Sequence, residues 1–269
     1  AAWVGPWKPE RFRNIKREEM EALLSMAVML DEAGTAVLLL QSANQRLKEQ
    51  MSLHTMRAAC FWGRPAIVDA LVEILKCPVE GPQYHQELPI FHAVVAGQTA
   101  MVNHLVQCHN ANVNALCGIK FLTPNNQGPL QIDMPPLHHA AGQGDVTMVD
   151  CLLENGANPH QTCARADGTA LHYASAAVSP HSVPTIRSLI VAGTPLNRRS
   201  SHLGETPLHV AAMWGRWQNV RCLVENGADV YSRNKSKNMP IHVACEDGHT
   251  RTIQALVLDG RCDIDACDG

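Results

Sequence analysis

The chain has 269 residues, a formal net charge of −3, 46% hydrophobic residues and only 4% aromatic residues. The small net charge argues against a general binder of nucleic acid or of polyanions, and no apolar run is long enough to cross a membrane. Few aromatic residues among many small aliphatic ones favour thin helices over an aromatic-rich β-sandwich.

The N-terminal segment, residues 1–13, contains two prolines and shows no hydrophobic periodicity, so we predict an extended arm. Its tryptophans and Phe12 would either dock on the first helices as a cap or bind a partner. Residues 14–50 show helical periodicity, with one helix from Asn14 and a second over roughly Thr35–Lys48. The motif of the later units is missing here, so we predict an N-terminal capping pair of helices or a degenerate repeat.

A unit of 33 residues recurs through the rest of the chain. Its clearest copy is Gly204–Asn234, and the histidine of this copy, His209, is followed 33 residues later by His242. Thr206 and Pro207 are suited to begin a helix, because threonine caps free amides and proline is tolerated in the first turn. The second helix carries a narrow apolar stripe that one helix pair cannot bury, so neighbouring units must stack on it.

With its TPLH motif, paired alanines, following glycine and closing Gly-Ala-Asp, this unit resembles an ankyrin repeat. The resemblance implies an all-α solenoid, an array of about six repeats with β-hairpin-like loops. Within residues 51–269, the repeats would span 52–84, 87–134, 135–167, 168–203, 204–236 and 237–269. His92 and His138 are 46 residues apart, 13 more than one unit, which places a long loop insertion at 115–133. Loops of this length are usually functional or disordered, and both remain open here.

Fourteen histidines and ten cysteines are present, but no catalytic or metal-binding sequence motif. In the family, the histidine of the motif bonds backbone groups of the adjoining hairpin, and five residues here occupy that position: His92, His138, His172, His209 and His242. The cysteines scatter through helical positions such as Cys245, which favours buried thiols and a reducing, intracellular compartment, cytoplasmic or nuclear.

His104, Cys108 and His109 lie close together in the sequence and are candidate metal ligands, with Cys117 as the one further candidate nearby. Zinc sites in proteins usually need more ligands than this stretch supplies. We therefore predict no metal, no cofactor and no catalytic residue.

In ankyrin repeats, the exposed ends of the first helices and the hairpin tips form the concave surface that binds partners. The helix positions here are Phe61, Trp62, Gln143, Met213, Trp214, Glu246 and Asp247, and the basic hairpin residues are Arg198, Arg199, Arg233, Lys235 and Lys237. Trp62 and Trp214 would be binding hot spots, unless each lies flat on a neighbouring helix, whereas Trp217 would belong to the core. A basic lip beside an aromatic centre suits a peptide with an acidic segment and an apolar anchor.

The sequence therefore predicts a monomeric protein-protein interaction module, an adaptor, scaffold or substrate receptor, rather than an enzyme. The alternative is a regulatory or targeting array of a larger enzyme, since the chain stops where another repeat would begin and we expect a fragment. Direct nucleic-acid binding is less favoured, because the basic patch is small and no aromatic residues interleave with it.

Overall fold

The computed structural model describes residues 16–79, 88–122, 129–163 and 168–258. In these ranges the chain forms fourteen helices and two strands, and it divides into two compact units, Ala1–Asn112 and Val113–Gly269. The predicted N-terminal arm, residues 1–13, lies outside the described residues. The end of the last predicted repeat, residues 259–269, does so too.

The first unit consists of three helix pairs in its described part. They are α1 (Arg17–Met29) with α2 (Ala33–Ser42), α3 (Gln45–Phe61) with α4 (Pro65–Glu73), and α5 (Pro89–Val95) with α6 (Thr99–His109). The first helices of successive pairs contact one another, α1 with α3 and α3 with α5, and α2 contacts α4 in the same way. The N-terminal pair thus stacks on its neighbour as a repeat would.

The helix expected over Thr35–Lys48 is two helices in the structure. The break lies at Asn44, whose side-chain oxygen accepts a hydrogen bond from the Leu47 amide at 2.9 Å and so begins a new helix, α3. α3 then continues without interruption for 17 residues. The domain boundary placed at residue 50 therefore falls inside a helix.

The second unit begins with a two-stranded sheet and continues with four helix pairs. Its elements are β1 (Cys117–Leu122), β2 (Pro129–Met134), α7 (Pro136–Gln143), α8 (Val146–Glu154), α9 (Ala170–Ala176), α10 (Ser182–Val191), α11 (Pro207–Met213), α12 (Trp217–Glu225), α13 (Pro240–Glu246) and α14 (Thr250–Leu258). The odd-numbered helices form one layer, in which α7 contacts α9, α9 contacts α11 and α11 contacts α13. The even-numbered helices form the other layer, from α8 through α10 and α12 to α14.

The core of the second unit explains why its helices stack in two layers. Ala211 and Ala212 have no exposed surface, because the small alanine side chains let neighbouring first helices approach closely. Leu152 and Leu223, on second helices, are likewise fully buried, and no single pair could enclose them. The predicted all-α architecture of stacked helix pairs is confirmed.

The predicted insertion at 115–133 contains most of an antiparallel β-hairpin. β1 pairs with β2 in a register that places Cys117 opposite Met134 and Leu122 opposite Pro129. The connecting residues 123–128 lie outside the described part of the chain.

Motif histidines tie neighbouring repeats of the second unit together. Nδ1 of His209 accepts a hydrogen bond from the Thr206 amide at 3.2 Å, and Nε2 donates to the Asn238 carbonyl at 3.0 Å. His172 makes the same two bonds, the second one to the Glu205 carbonyl at 3.2 Å. Each ring therefore joins the start of its own helix to the loop of the next repeat, as the resemblance implied.

His138 makes only half of this arrangement. Its Nε2 donates to the Gly168 carbonyl at 3.1 Å, but the buried Nδ1 has no hydrogen-bond partner. The residue that caps its helix is Pro135, which has neither an amide hydrogen nor a hydroxyl to offer. Burial lowers the pKa of His138 from 6.5 to about 4.

The described cysteines carry free thiols, and six are buried: Cys60, Cys77, Cys117, Cys151, Cys163 and Cys222. Burial raises the pKa of the Cys60 thiol, so the neutral form is favoured. Cys245, also expected to be buried, is exposed, because it lies in the last turn of α13 rather than on the packed face of that helix. Among the helices described, none has the length and apolarity needed to cross a bilayer.

Candidate functional site

A cleft of about 520 Å³ opens on the second unit. Tyr173 and Ala176 of α9 and Val210 of α11 contribute to its lining, as do residues of the loop 200–205. Trp214, at the end of α11, also lines it. A mostly apolar concavity of this size with a few polar groups is typical of a binding site.

Trp214 is held in place by the chain that follows it while its side chain remains 54% exposed. Gly215 ends the helix with a φ of 66°, and a Cβ there would lie 2.8 Å from the His249 ring. Nε2 of His249 donates a hydrogen bond to the Met213 carbonyl at 2.9 Å. The end of α11 is therefore fixed by the next repeat, and the half-buried Met213 serves this turn through its backbone.

Loop 200–205 is braced by its own hydrogen bonds. The Ser200 amide donates to the Glu205 carbonyl at 2.8 Å, and the Gly204 amide donates to the Ser200 carbonyl at 2.9 Å. The Ser200 hydroxyl accepts from the Glu205 amide at 3.1 Å. Leu203, in this closed loop, lines the cleft and is still 48% exposed.

Two of the predicted basic residues support the same loop. Nε of Arg199 donates to the Gly204 carbonyl at 3.2 Å. The Lys235 amide donates to the Leu203 carbonyl at 2.9 Å, and the Lys235 ammonium donates to the Ser201 carbonyl. Arg199 and Lys235 therefore shape the wall of the cleft in addition to supplying positive charge.

Other residues predicted for the partner surface of this unit do not line the cleft: Gln143, Arg198, Met213, Arg233, Lys237, Glu246 and Asp247. Arg233 donates to the Lys237 carbonyl at 3.5 Å, within one hairpin tip. Glu246 accepts a hydrogen bond from the Asn238 side chain at 2.9 Å. Part of the charge assigned to a partner from the sequence is thus engaged in local contacts.

Phe61 and Trp62 belong to the first unit and form an aromatic pair. They lie at the end of α3, with 38% and 50% of their surfaces exposed. Their rings meet edge to face at a centroid distance of 5.5 Å, a favourable aromatic geometry. The structure thus places an exposed aromatic patch on each unit.

The electrostatics of the cleft combine one partly buried carboxyl group with basic surroundings. Burial raises the pKa of Glu205, and the nearby His202 acts in the opposite direction. The Ser200 hydroxyl is engaged with the Glu205 amide. The arrangement suits recognition of an apolar group by a preformed surface.

Sequence reasoning missed several residues of the cleft and misplaced one tryptophan. Tyr173 and Val210 each directly follow a motif histidine, so their shared repeat position could have revealed them. Leu203 lies in a loop of no periodic pattern and gave no such signal. Trp217, expected in the core, is half-buried at the first turn of α12 and lines a second cleft of about 320 Å³ with Leu258.

Ankyrin sequences match the chain in two places. The family model described as "Ankyrin repeats (3 copies)" matches residues 175–268, and the one described as "Ankyrin repeat" matches residues 133–161.

Several curated proteins are similar to parts of the chain, and the names of two of them refer to ankyrin. Rabankyrin-5 of Homo sapiens is 36% identical over 100 residues, which are 33% of this chain and 8% of that protein. Ankyrin repeat and SOCS box protein 11 of Danio rerio is 29% identical over 136 residues, 51% of this chain and 43% of that protein. The "Transient receptor potential cation channel subfamily A member 1 homolog" of Caenorhabditis elegans is 31% identical over 125 residues, 46% of this chain and 10% of that protein. The chain thus spans less than half the length of each of these relatives.

Among solved structures, the human ASB11 ankyrin repeat domain superposes with a TM-score of 0.64 at 23% identity, covering 88% of this chain and 96% of that one. This likeness shows the fold. With the 33-residue unit, the stacked helix pairs and the family models that match residues 133–161 and 175–268, it leads to one conclusion: the chain contains ankyrin repeats and has the fold of an ankyrin repeat domain.

Proposed function

We propose that the second unit binds another polypeptide by taking up an apolar side chain of that partner in the cleft beside Trp214. An ankyrin repeat chain is in general a protein-interaction module. The observation that carries the proposal is the cleft itself, an open concavity with Trp214 and Leu203 about half exposed in its lining. Aromatic anchors of this kind dominate the energetics of protein interfaces.

The cleft is built before any partner arrives. Its loop is closed by backbone hydrogen bonds and braced by Arg199 and Lys235, so little conformational entropy is lost on binding. An adaptor, a scaffold or a substrate receptor works by holding another chain on a rigid surface of this kind.

The chemistry of the partner follows from the lining and its surroundings. Leu203, Val210 and Trp214 favour a large apolar anchor. The Glu205 carboxyl disfavours an acidic group at the anchor position, whereas the exposed Arg198 and Lys235 on the hairpins favour acidic residues flanking it. We propose a peptide segment with an apolar anchor and neighbouring acidic residues.

The test selects ligands from a peptide display library on the full chain and measures the affinity of a selected peptide by fluorescence anisotropy. Trp214→Ala should weaken binding by about tenfold or more, the loss of about 1.4 kcal/mol that a hot spot supplies. Tyr231→Ala is the matched control, since Tyr231 is an aromatic residue of the same unit, 43% exposed, that does not line the cleft. This variant should bind within about twofold of the parent, a small fraction of the hot-spot effect.

Unfolding of the same variants separates binding from stability. Because Trp214 is 54% exposed, its replacement should leave the melting temperature nearly unchanged. Equal affinities of Trp214→Ala and the parent for every selected peptide would contradict the proposal, and so would a large fall in melting temperature without any loss of affinity. Trp62→Ala tests separately whether the aromatic pair of the first unit contributes.

A second candidate is a regulatory or targeting array within a longer protein, such as an enzyme. The relatives favour this candidate, because they are much longer proteins: the matched part of the chain spans 8% of human Rabankyrin-5 and 10% of the nematode channel homolog. The coding sequence that flanks the chain on both sides tests this candidate. A catalytic domain encoded on either side would support the role, and the absence of a catalytic domain on both sides would oppose it.

Direct nucleic-acid binding is the least favoured function. A labelled-DNA shift assay at low salt should show no binding, whereas a complex that weakens steeply as salt rises would favour this function instead.

A further inference from the structure

We infer that Asp69, His104 and His109 of the first unit form a binding site for a divalent transition-metal ion of the zinc class. Asp69 comes from the middle of α4 and the two histidines from α6. Asp69 precedes His104 by 35 residues, about one repeat, so consecutive helix pairs bring together side chains that are distant in the sequence.

The three side chains converge on one point. Nε2 of His104 and Nε2 of His109 each lie 2.7 Å from the same atom, Oδ1 of Asp69. The two imidazole rings stand edge to face, with centroids 5.2 Å apart and an interplanar angle of 75°. All three ligand atoms lie within 4.8 Å of one another, so one ion could contact them together.

Two imidazole nitrogens and one carboxylate oxygen are a donor set that zinc accepts, with a water molecule in the fourth position. The side chain of His109 is 8% exposed, that of His104 21% and that of Asp69 38%. The site is therefore closed on the helix side and open on the carboxylate side, where a water ligand has room to enter.

The adjustment that coordination requires is small. Ligands at the usual zinc distance of about 2.1 Å lie roughly 3.4 Å apart in a tetrahedron, so the present 2.7 Å separations would widen by about 0.7 Å. Each neutral ring would carry its proton on Nδ1, leaving the lone pair of Nε2 for the metal. Rotation of the partly exposed Asp69 side chain can supply this movement.

The end of α6 adds an electrostatic preference for a cation. His109 is the last residue of this helix, and Asn110 closes it in the left-handed conformation with φ 56°. The carbonyl end of a helix carries partial negative charge, which favours positive charge within the last turn. A metal ion held by His109 would lie at that end.

The thiol considered from the sequence does not take part. Cys108 is exposed and lies between the two histidines in sequence, but it does not belong to the cluster that Asp69 completes. The sequence did not reveal Asp69 as a candidate ligand, because the sequence alone does not show which residue of α4 faces α6. An ion bound here would link these two helices and stabilise the first unit.

The test uses the full chain, freed of metal with a chelator. Titration with Zn²⁺ by calorimetry should show one site per chain, and Co²⁺ should give the visible ligand-field absorption of a tetrahedral complex. Asp69→Asn keeps the shape of the side chain but replaces the carboxylate by a poor zinc ligand, and it should weaken this site by about tenfold or more. Cys108→Ser is the matched control and should leave affinity and spectrum unchanged.

Circular dichroism of each variant establishes that it is folded, and His104→Gln provides a second removal of a ligand. The proposal is overturned if the parent shows no site that binds one equivalent of Zn²⁺ or Co²⁺. It is overturned equally if Asp69→Asn and His104→Gln bind like the parent, or if Cys108→Ser removes the site and so assigns the ion to the thiol.

Discussion

Replacing Pro135 by threonine should stabilise the protein. Three other motif histidines of the second unit receive a hydrogen bond on Nδ1 from the residue that caps their helix, at distances of 3.1 to 3.2 Å. His138 cannot, because proline has no amide hydrogen, and its Nδ1 is buried without a partner. Threonine at position 135 would restore both the amide donor and the capping hydroxyl.

The magnitude follows from opposing contributions. Satisfying a buried acceptor is worth about 1–2 kcal/mol, while loss of the proline constraint on the unfolded chain costs about 0.4–1 kcal/mol. The backbone already suits threonine, since Pro135 has φ −65° and ψ 150° and Thr206 has φ −89° and ψ 166°. We expect a net gain of about 1 kcal/mol, or a rise of about 2–4 °C in melting temperature.

Urea unfolding followed by circular dichroism measures this gain. Pro135→Ala is the control, because it supplies the amide hydrogen without the hydroxyl and should stabilise less than threonine. A threonine variant less stable than the parent, or one no better than the alanine variant, would refute the role assigned to the cap of His138.

Three further predictions concern stability, each measured from urea midpoints. Asn219 is 1% exposed; its side-chain oxygen accepts a hydrogen bond from the buried Ser182 hydroxyl, and its side-chain nitrogen donates to neighbouring carbonyls. Asn219→Ala should therefore lower the free energy of unfolding by about 3 kcal/mol, and a loss below about 1 kcal/mol would contradict this role. The pKa of His138 falls from 6.5 to about 4 on folding. The unfolded chain therefore binds the proton first as pH falls, and stability should drop by about 3 kcal/mol between pH 6.5 and 4, at 1.36 kcal/mol per pH unit. If the stability of His138→Gln depends on pH in the same way as that of the parent, another group causes the loss of stability. Gly215→Ala and Gly227→Ala both strain a positive φ, but only the first brings a Cβ to 2.8 Å from His249. Gly215→Ala should thus lower the free energy of unfolding by at least about 1 kcal/mol more than Gly227→Ala does. Equal losses in the two variants would show that the contact with His249 does not matter.

The sequence predicted those parts of the fold that repeat. The period that links His209 to His242 located the stacked helix pairs, since every copy must bury the same stripe against its neighbours. The sequence also predicts an exposed aromatic residue at Trp214, because packing within its own repeat does not need it, and this residue lines the cleft in the structure.

Features that occur only once in the fold could not be predicted from the sequence. The cap at Asn44 divides the stretch Thr35–Lys48 that the sequence predicts as one helix, and only the observed hydrogen bond shows where one helix stops and the next begins. Leu203 reaches the cleft through the closure of its loop, and Trp217 stays half-exposed because of its place at the start of α12. Asp69 meets His104 through stacking between consecutive pairs, a contact that no local motif records.

The central claim is that the second unit recognises a partner through the cleft beside Trp214. Titration of the isotope-labelled chain with a peptide selected from the display library, followed by NMR chemical-shift mapping, tests it most directly. The largest shift changes should fall on Tyr173, Leu203, Val210 and Trp214, the residues that line the cleft. Changes concentrated instead on the α10 and α12 layer, with the cleft residues unmoved, would contradict the account.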